Sequence, residues 1–239
     1  MKTFVIACLC IIVLSCKNDT TSSDAPIQSN PATKTFQIDG NVGNTFVRKA
    51  YLQKIFGSSV IKVDSSIISN SEFKFIGQVE TPERYGISFD NNATMAIFVL
   101  ENQIMKMSFN EKELNDPKIT GSVLNDELTN YKQYAKSIFK KIDYLFPEFQ
   151  KARLDNDATK LTEIGAEMKK IEEEFRNYSF NYIAKHPNSY VSAMILRDQL
   201  KASYVDSLRI RSSFNTLSQS VQLGIDGLIV AEFLELYDE

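Results

Sequence analysis

Residues 104–145 read IMKMSFNEKELNDPKITGSVLNDELTNYKQYAKSIFKKIDYL, and the hydrophobic period changes within this stretch. As far as Phe109, apolar and polar residues alternate, which is typical of a half-buried strand. After Gly121 the apolar residues recur at alternating steps of four and three, as on one helix face: Leu124, Leu128, Tyr131, Ala135, Ile138, Ile142 and Leu145. The stretch therefore predicts an α+β chain in which strands precede helices.

Upstream of Gly121, short segments rich in β-forming residues are separated by turn residues. The segments are 36–38, 50–55, 60–64, 73–79, 85–89, 95–100 and 104–109. Breakers fall between them, and Asp116-Pro117 follows the last one. A spacing of about ten residues favours an antiparallel β-sandwich or a partial barrel over residues 34–121.

Downstream, the pattern predicts a helical hairpin followed by short helices. A second stripe at the same spacing consists of Leu161, Ile164, Met168, Ile171, Phe175, Tyr178 and Tyr182. Asp157 is a candidate N-cap for this helix, and His186-Pro187 predicts its end. Residues 146–156 are expected to connect the two helices, with one short helical turn after Pro147. Shorter helices are expected over residues 190–200, 205–214 and 223–236.

The two stripes allow two interpretations. Apolar stripes at this spacing most often pack inside a protein, so we expect the two helices to bury them against each other. The alternative is an exposed seam that binds a partner.

The N-terminus has the features of a secretory leader. Met1-Lys2 supplies a positive charge, and the apolar run from Phe4 to Leu14 is shorter than the about 20 residues of a membrane-spanning helix. Val13-Leu14-Ser15-Cys16 resembles the bacterial lipobox. This resemblance implies cleavage between Ser15 and Cys16 and acylation of the Cys16 thiol, with palmitate as one acyl group. An ordinary secretion signal with an incidental cysteine is the alternative.

Cleavage would leave Cys16 as the single cysteine, because Cys8 and Cys10 lie in the leader. No intramolecular disulfide and no Cys-x-x-Cys pair could then form. Residues 16–33 are rich in Ser, Thr, Asn, Asp and Pro, and this composition predicts a flexible tether. Lys17 stands where some bacteria place the aspartate that retains lipoproteins in the inner membrane, which favours the outer membrane.

The predicted organisation therefore has four parts. Residues 1–15 are the leader, and residues 16–33 are the lipidated cysteine with its tether. Residues 34–121 form the β-sandwich domain, and residues 122–239 form the helical domain.

Composition excludes several functions. The 27 basic and 30 acidic residues give a formal net charge of -3, so the chain has no basic excess with which to bind nucleic acid. One histidine, His186, and no cysteine beyond position 16 exclude a zinc site built from His and Cys. His186 is predicted to lie at a helix end. We predict no catalytic residue, no metal site and no cofactor.

Three other motifs have structural interpretations. Asp155-Asn156-Asp157 lacks the glycine and the final acid of a calcium loop. Glu172-Glu173-Glu174 lies beside basic residues and predicts a solvated helix face with local ion pairs. Gly40-Asn41-Val42-Gly43-Asn44 lacks the lysine of a phosphate loop and is predicted to be a turn between strands.

Several segments carry a family resemblance. They are Phe36-Gln37-Ile38-Asp39-Gly40, Phe73-Lys74-Phe75-Ile76-Gly77, Thr81-Pro82-Glu83-Arg84-Tyr85 and Ile119-Thr120-Gly121-Ser122, followed by Asn125-Asp126-Glu127-Leu128 and His186-Pro187-Asn188-Ser189-Tyr190. Together they resemble the β-rich domain of unknown function that precedes a thioredoxin-like domain in TlpA-like thiol-disulfide interchange lipoproteins. In those relatives a Cys-x-x-Cys pair follows, whereas this sequence ends at Glu239 without one. The resemblance therefore implies fold and compartment and no oxidoreductase activity.

These observations predict a membrane-anchored lipoprotein of the cell envelope that acts as a non-catalytic binding or scaffold module. Its expected partners are membrane lipid, through acylated Cys16, and an unidentified envelope protein. The alternative is a non-catalytic accessory role in envelope thiol-disulfide exchange, beside a thioredoxin-like partner.

Overall fold

A computed structural model of the chain describes residues 34–43, 46–57, 59–202 and 204–236. The predicted leader and tether, including Ser15 and Cys16, lie outside these residues. Pro31–Glu239 groups as one compact unit.

The described residues form eight strands in two four-stranded sheets. The strands are β1 (Phe36–Asn41), β2 (Lys49–Phe56), β3 (Ser59–Ile67), β4 (Glu72–Gly77), β5 (Glu83–Phe89), β6 (Met95–Leu100), β7 (Ile104–Asn110) and β8 (Glu113–Thr120). One sheet has the order β4-β1-β7-β8, and the other has the order β3-β2-β5-β6. The arrangement is sandwich-like and not a closed barrel. All pairs are antiparallel except β1–β7, which is parallel. The predicted α+β fold with a largely antiparallel sandwich is therefore confirmed.

Two strand boundaries also differ from the sequence expectation. Asp116-Pro117, interpreted above as a break, lies inside β8. Because β8 is an edge strand that pairs only with β7, a proline without an N–H donor is tolerated there. Gly40 and Asn41, expected in a turn, belong to β1, and the chain turns at Gly43, where φ is +53°.

Aromatic rings fill the space between the two sheets. The rings of Phe89 and Phe109 meet edge to face at 5.0 Å, and Phe73 lies 5.9 Å from each of them. Gly40 lies opposite Phe73 in the β1–β4 pair, where a Cβ atom would come within 2.1 Å of the Phe73 ring. The core therefore requires glycine at position 40.

The second half of the chain is helical. The helices are α1 (Val123–Leu154), α2 (Ala158–Lys185), α3 (Tyr190–Asp198), α4 (Ser207–Thr216), α5 (Gln219–Gln222) and α6 (Ile225–Glu235), with a 3₁₀ turn at Gln199–Lys201. The predicted cap is confirmed, since the Asp157 carboxylate accepts a hydrogen bond from the Lys160 N–H at 2.9 Å. His186 is the C-cap of α2, as expected. None of the helices in the described part of the chain combines the length and apolarity needed to cross a bilayer.

The predicted connection over residues 146–156 is wrong, because α1 continues through Pro147 to Leu154. A proline inside a helix removes one backbone hydrogen bond and frees a carbonyl. The freed carbonyl is that of Asp143, and Asp143 and Pro147 are both exposed, so water can bind it. The turn between the helices is confined to Asp155, Asn156 and Asp157, with Asn156 at a φ of 51°.

The expectation that the two stripes pack together is confirmed in the helical hairpin. Tyr131 of α1 contacts Phe175 and Tyr182 of α2, at ring centroid distances of 6.3 Å and 5.2 Å. Ile138, Ile164 and Ile171 are buried in the same hairpin. The stripes are therefore internal surface in the part of the hairpin that these residues occupy.

The helices cover the outer face of the β5–β6 pair. Val99 of β6 belongs to a second apolar cluster with Leu128, Ile195 and Leu196, separate from the cluster inside the sandwich. Gly86 of β5 provides space there, because a Cβ atom at this position would lie 2.3 Å from the Met95 sulfur. The sandwich and the helical layer thus share a continuous apolar contact.

Asn125 fixes the start of α1 against the edge of this sheet. Its Oδ1 accepts from the Val99 N–H at 2.9 Å, and its Nδ2 donates to the Val99 carbonyl at 2.7 Å. Ser122, the N-cap of α1, receives hydrogen bonds from both Asn125 Nδ2 and the Asn125 N–H. The amide of Asn125 therefore occupies the place of a further strand beside β6, which is an edge strand.

We expect Asn125→Asp to lower the free energy of unfolding at neutral pH by about 3 kcal/mol. The carboxylate cannot donate to the Val99 carbonyl and would bring an unpaired charge to a site that is 2% exposed. Urea unfolding followed by circular dichroism measures this, and acid should restore part of the loss, because a protonated carboxyl can donate.

The matched control is Asn110→Asp. Asn110 is exposed and uses only Oδ1, which accepts from the Lys112 N–H at 3.0 Å, so a carboxylate can replace it. Equal losses in the two variants would contradict the role given to Asn125.

Candidate functional site

The residues singled out in the sequence have structural roles where the structure describes them. The Nδ1 atom of His186 lies 2.8 Å from the Tyr182 carbonyl, and its ring stacks on Tyr182 at 4.1 Å. The Asp157 carboxylate caps the N-terminus of α2 and is therefore engaged in a backbone hydrogen bond. Glu174 pairs with Lys141 across the hairpin at 2.5 Å, and Glu173 lies 3.5 Å from Arg176. Cys16 and Ser15 lie outside the described residues.

The structure brings together a charged group that the sequence pattern did not reveal. Arg84 of β5 is 8% exposed and lies between the sheet and the helices. Its Nη1 donates to Asp198 Oδ1 at 2.8 Å, and its Nη2 donates to the Met194 carbonyl at 2.8 Å. Asp226 Oδ1 lies 3.8 Å from Nη2. Residues of α3 and α6 thus compensate a guanidinium that belongs to the sheet.

A second arginine continues this network. Arg197 of α3 donates to Asp226 Oδ1 at 2.6 Å and to the Gly57 carbonyl at 2.8 Å. Gly57 lies at the turn after β2, with a φ of +61°. Asp226 is therefore shared by two buried arginines, and the network joins β2, β5, α3 and α6.

One signal in the sequence could have indicated Arg84. Residues 85, 87 and 89 alternate as inward-facing apolar positions, which places residue 84 on the opposite face of β5. Nothing in the sequence shows that helices cover that face, so a solvent-exposed arginine was the simpler interpretation.

A cavity of about 360 Å³ adjoins the network, where the β5–β6 face meets α1 and α3. Its walls are mainly apolar and its few polar groups are charged or amide side chains. The lining consists of Arg84, Met95, Ile97, Asn115, Leu128, Tyr131, Lys132, Met194, Ile195 and Asp198. We call this cavity the junction pocket. Apolar walls with a small number of placed polar groups are typical of small-molecule sites.

Lys132 contributes the second cation of the junction pocket. Its Nζ donates to the Ile97 carbonyl at 2.9 Å, although the side chain as a whole is exposed. Burial of the ammonium lowers the pKa of Lys132; Asp116 opposes this shift, and nearby Arg84 adds to it. The ammonium and the Arg84 guanidinium therefore act on each other as like charges.

Tyr131 forms a neutral part of the wall. Its hydroxyl lies 2.8 Å from Ser179 Oγ, and both groups are buried. Burial raises the pKa of Tyr131 to about 12, so the hydroxyl stays protonated at neutral pH.

A larger cavity of about 640 Å³ lies along β1, β4 and β7 and is also lined by Ser66 and Ile67 of β3. The Lys74 ammonium pairs with Asp39 at 3.1 Å in this groove, and Gln37 donates to the same carboxylate at 2.8 Å. Lys74 is 54% exposed, so water screens the pair. The junction pocket is the stronger candidate because its Arg84 is buried and held by several contacts.

The described residues contain no group of three or more His, Cys, Asp and Glu side chains that could hold a metal ion.

Comparison with known proteins identifies one domain. Residues 36–128 match a family model described as "Domain of unknown function (DUF4369)". The matched span covers both sheets and the start of α1, including Arg84 and Asn125. Met194, Asp198 and Asp226 lie beyond it. No curated protein matches the chain.

We expect Asp226→Asn to lower the free energy of unfolding by about 2–4 kcal/mol, because two buried arginines would share one negative charge less. Chemical unfolding measures the change. Glu167→Gln is the matched control, since its pair with Lys170 at 2.6 Å is exposed, and we expect a change within about 0.5 kcal/mol. A loss in Asp226→Asn no greater than that of the control would show that the network contributes nothing to stability.

Proposed function

We propose that this chain is a cell-envelope lipoprotein, held on a membrane by lipid on Cys16, that acts as a non-catalytic binding module. Its ligand site is the junction pocket. The observation that carries the proposal is the cavity of about 360 Å³ with apolar walls, in which Arg84 and Lys132 are the cationic groups.

The anchor is supported by the sequence alone. Val13-Leu14-Ser15-Cys16 follows a short apolar run, and a polar segment separates it from β1. Each acyl CH₂ in a bilayer contributes about 0.8 kcal/mol, so two or more chains hold a protein on the membrane almost permanently. The outer membrane is the proposed location, on the basis of Lys17 after Cys16.

A non-catalytic role is supported by the commitments of the reactive side chains. Tyr131 bonds with Ser179, and its raised pKa keeps the hydroxyl protonated at neutral pH, so it is not available as a base. His186 closes α2, and Asp198 accepts from Arg84. Each of these groups is therefore engaged in a structural contact and is not free to react with a substrate.

An accessory role in envelope thiol-disulfide exchange is the second candidate. The match of residues 36–128 to a domain of unknown function agrees with the resemblance that suggested this role. Since the cysteines stand at positions 8, 10 and 16, exchange would depend on the thiols of a partner. Proteins that co-purify with the chain would include a Cys-x-x-Cys protein under this alternative.

We expect Cys16→Ser to abolish incorporation of alkyne-palmitate and to move the chain out of the membrane fraction when it is produced in a Gram-negative host. Cys8→Ser is the matched control, because Cys8 lies in the predicted leader, and it should stay labelled. In-gel fluorescence and fractionation measure both effects. Labelling that survives in Cys16→Ser would refute the anchor.

We expect the junction pocket to bind prodan, a neutral apolar fluorophore, with a blue shift of its emission. The chain from residue 16 with Cys16→Ser suits this titration, because the compact unit Pro31–Glu239 retains every described contact. Asn115→Trp places an indole at an exposed position of the lining and should weaken binding at least about fivefold. Asn110→Trp, at the exposed end of β7 outside the pocket, should leave binding unchanged. Equal binding in both variants would exclude the pocket as the site.

A further inference from the structure

We propose that the ligand of the junction pocket is an apolar molecule that ends in a carboxylate, with the carboxylate between Arg84 and Lys132. This inference rests on the proposed binding function and specifies its ligand class.

Arg84 retains an unused donor. An arginine has five N–H donors, and here both Nη atoms have acceptors. The Nε atom is buried and has no hydrogen-bond partner among the described residues. A buried donor without an acceptor costs about 1–3 kcal/mol. Because Arg84 lines the pocket, a ligand oxygen that came within hydrogen-bond distance of Nε would remove this cost.

Lys132 supplies the second binding group. A lysine ammonium has three N–H donors, and the Ile97 carbonyl accepts one of them at 2.9 Å. No carboxylate in the described part of the chain lies within ion-pair distance of its Nζ. The side chain as a whole is exposed although its ammonium is partly buried, so this group lies near the protein surface, where a ligand can reach it.

The charges of the lining favour an anion over a cation. Arg84 and Lys132 face one lining carboxylate, Asp198, which already accepts from Arg84 at 2.8 Å. Outside the lining, Asp226 is shared by Arg197 at 2.6 Å and Arg84 at 3.8 Å, and Asp116 acts on Lys132. An added carboxylate would reduce the repulsion between Arg84 and Lys132, whereas an added ammonium would increase it.

The volume of the pocket and its apolar walls limit the size and the polarity of the rest of the ligand. At about 30 Å³ for each water-sized group, the pocket has room for about ten such groups. Met95, Ile97, Leu128, Met194 and Ile195 form apolar walls that would bury a short hydrocarbon. A short-chain or small aromatic carboxylic acid fits this description.

The test compares hexanoate, hexanol and hexylammonium, which share one alkyl chain and differ in the terminal group. Ligand-observed saturation-transfer NMR with the chain from residue 16 carrying Cys16→Ser gives the three dissociation constants. We expect hexanoate to bind at least about tenfold more tightly than either of the others. Equal affinity of hexanoate and hexanol, or preference for hexylammonium, would overturn the proposal.

Substitutions locate the carboxylate. Lys132→Gln should lose most of the preference for hexanoate over hexanol, while its affinity for hexanol stays unchanged. Arg84→Lys is a second test of the same preference, and it keeps a positive charge at the site. Lys118→Gln is the matched control, because Lys118 is an exposed lysine of β8 outside the pocket. A hexanoate preference that survives in Lys132→Gln and Arg84→Lys would place the carboxylate elsewhere.

Failure of this inference can be separated from failure of the proposed function. If prodan binding depends on Asn115 but the three probes bind alike, the pocket is a binding site and the ligand class is wrong. If neither prodan nor any probe binds, the proposed binding function itself is wrong.

Discussion

A guanidinium buried between the sheet and the helices is the constraint on which the arrangement of this protein depends. Arg84 is only 8% exposed, and an arginine remains charged under all ordinary conditions. Burying an unpaired charge is costly, so its partners must be present before the two layers can close. Those partners are the Met194 carbonyl, Asp198 and Asp226, which all belong to the helical half. The helices therefore dock where their oxygen atoms meet one side chain of β5.

Two asparagines provide hydrogen-bond partners for backbone groups that no neighbouring strand pairs with. Asn125 exchanges two hydrogen bonds with the backbone of Val99, and Asn102 does the same with Val79. An asparagine amide has an acceptor and a donor in the spacing of a peptide group, so it can complete a strand pair. An exposed edge is a hazard for aggregation, and Asn125 closes part of the β6 edge with the first turn of α1. The contact between Asn125 and Val99 therefore lies both at the edge of the sheet and at the start of the helical layer.

Much of the fold followed from local patterns. The alternation in β4, β5 and β7, the cap at Asp157 and the end of α2 at His186 are properties of neighbouring residues, so the sequence is sufficient for them. Pro147 and Pro117 misled the interpretation, because a proline is tolerated on an exposed helix face or an edge strand, and exposure is a tertiary property. The junction pocket was beyond reach for a similar reason. Arg84 and Asp198 are 114 positions apart, and only the packed layers bring them together.

The network and the pocket share side chains, so the proposed ligand binding would be thermodynamically linked to docking of the layers. Arg84 and Asp198 line the pocket and also hold α3 against β5. A ligand that requires the closed layers binds the folded chain alone, and it stabilises that state by RT ln(1 + [L]/Kd). A change that lowers the population of the docked layers lowers the apparent affinity of such a ligand in proportion to that population. The pocket lies partly within the matched residues 36–128 and partly in the helices beyond them. The helical half therefore supplies Met194, Ile195 and Asp198 to the proposed site, whose arginine belongs to the β-rich domain.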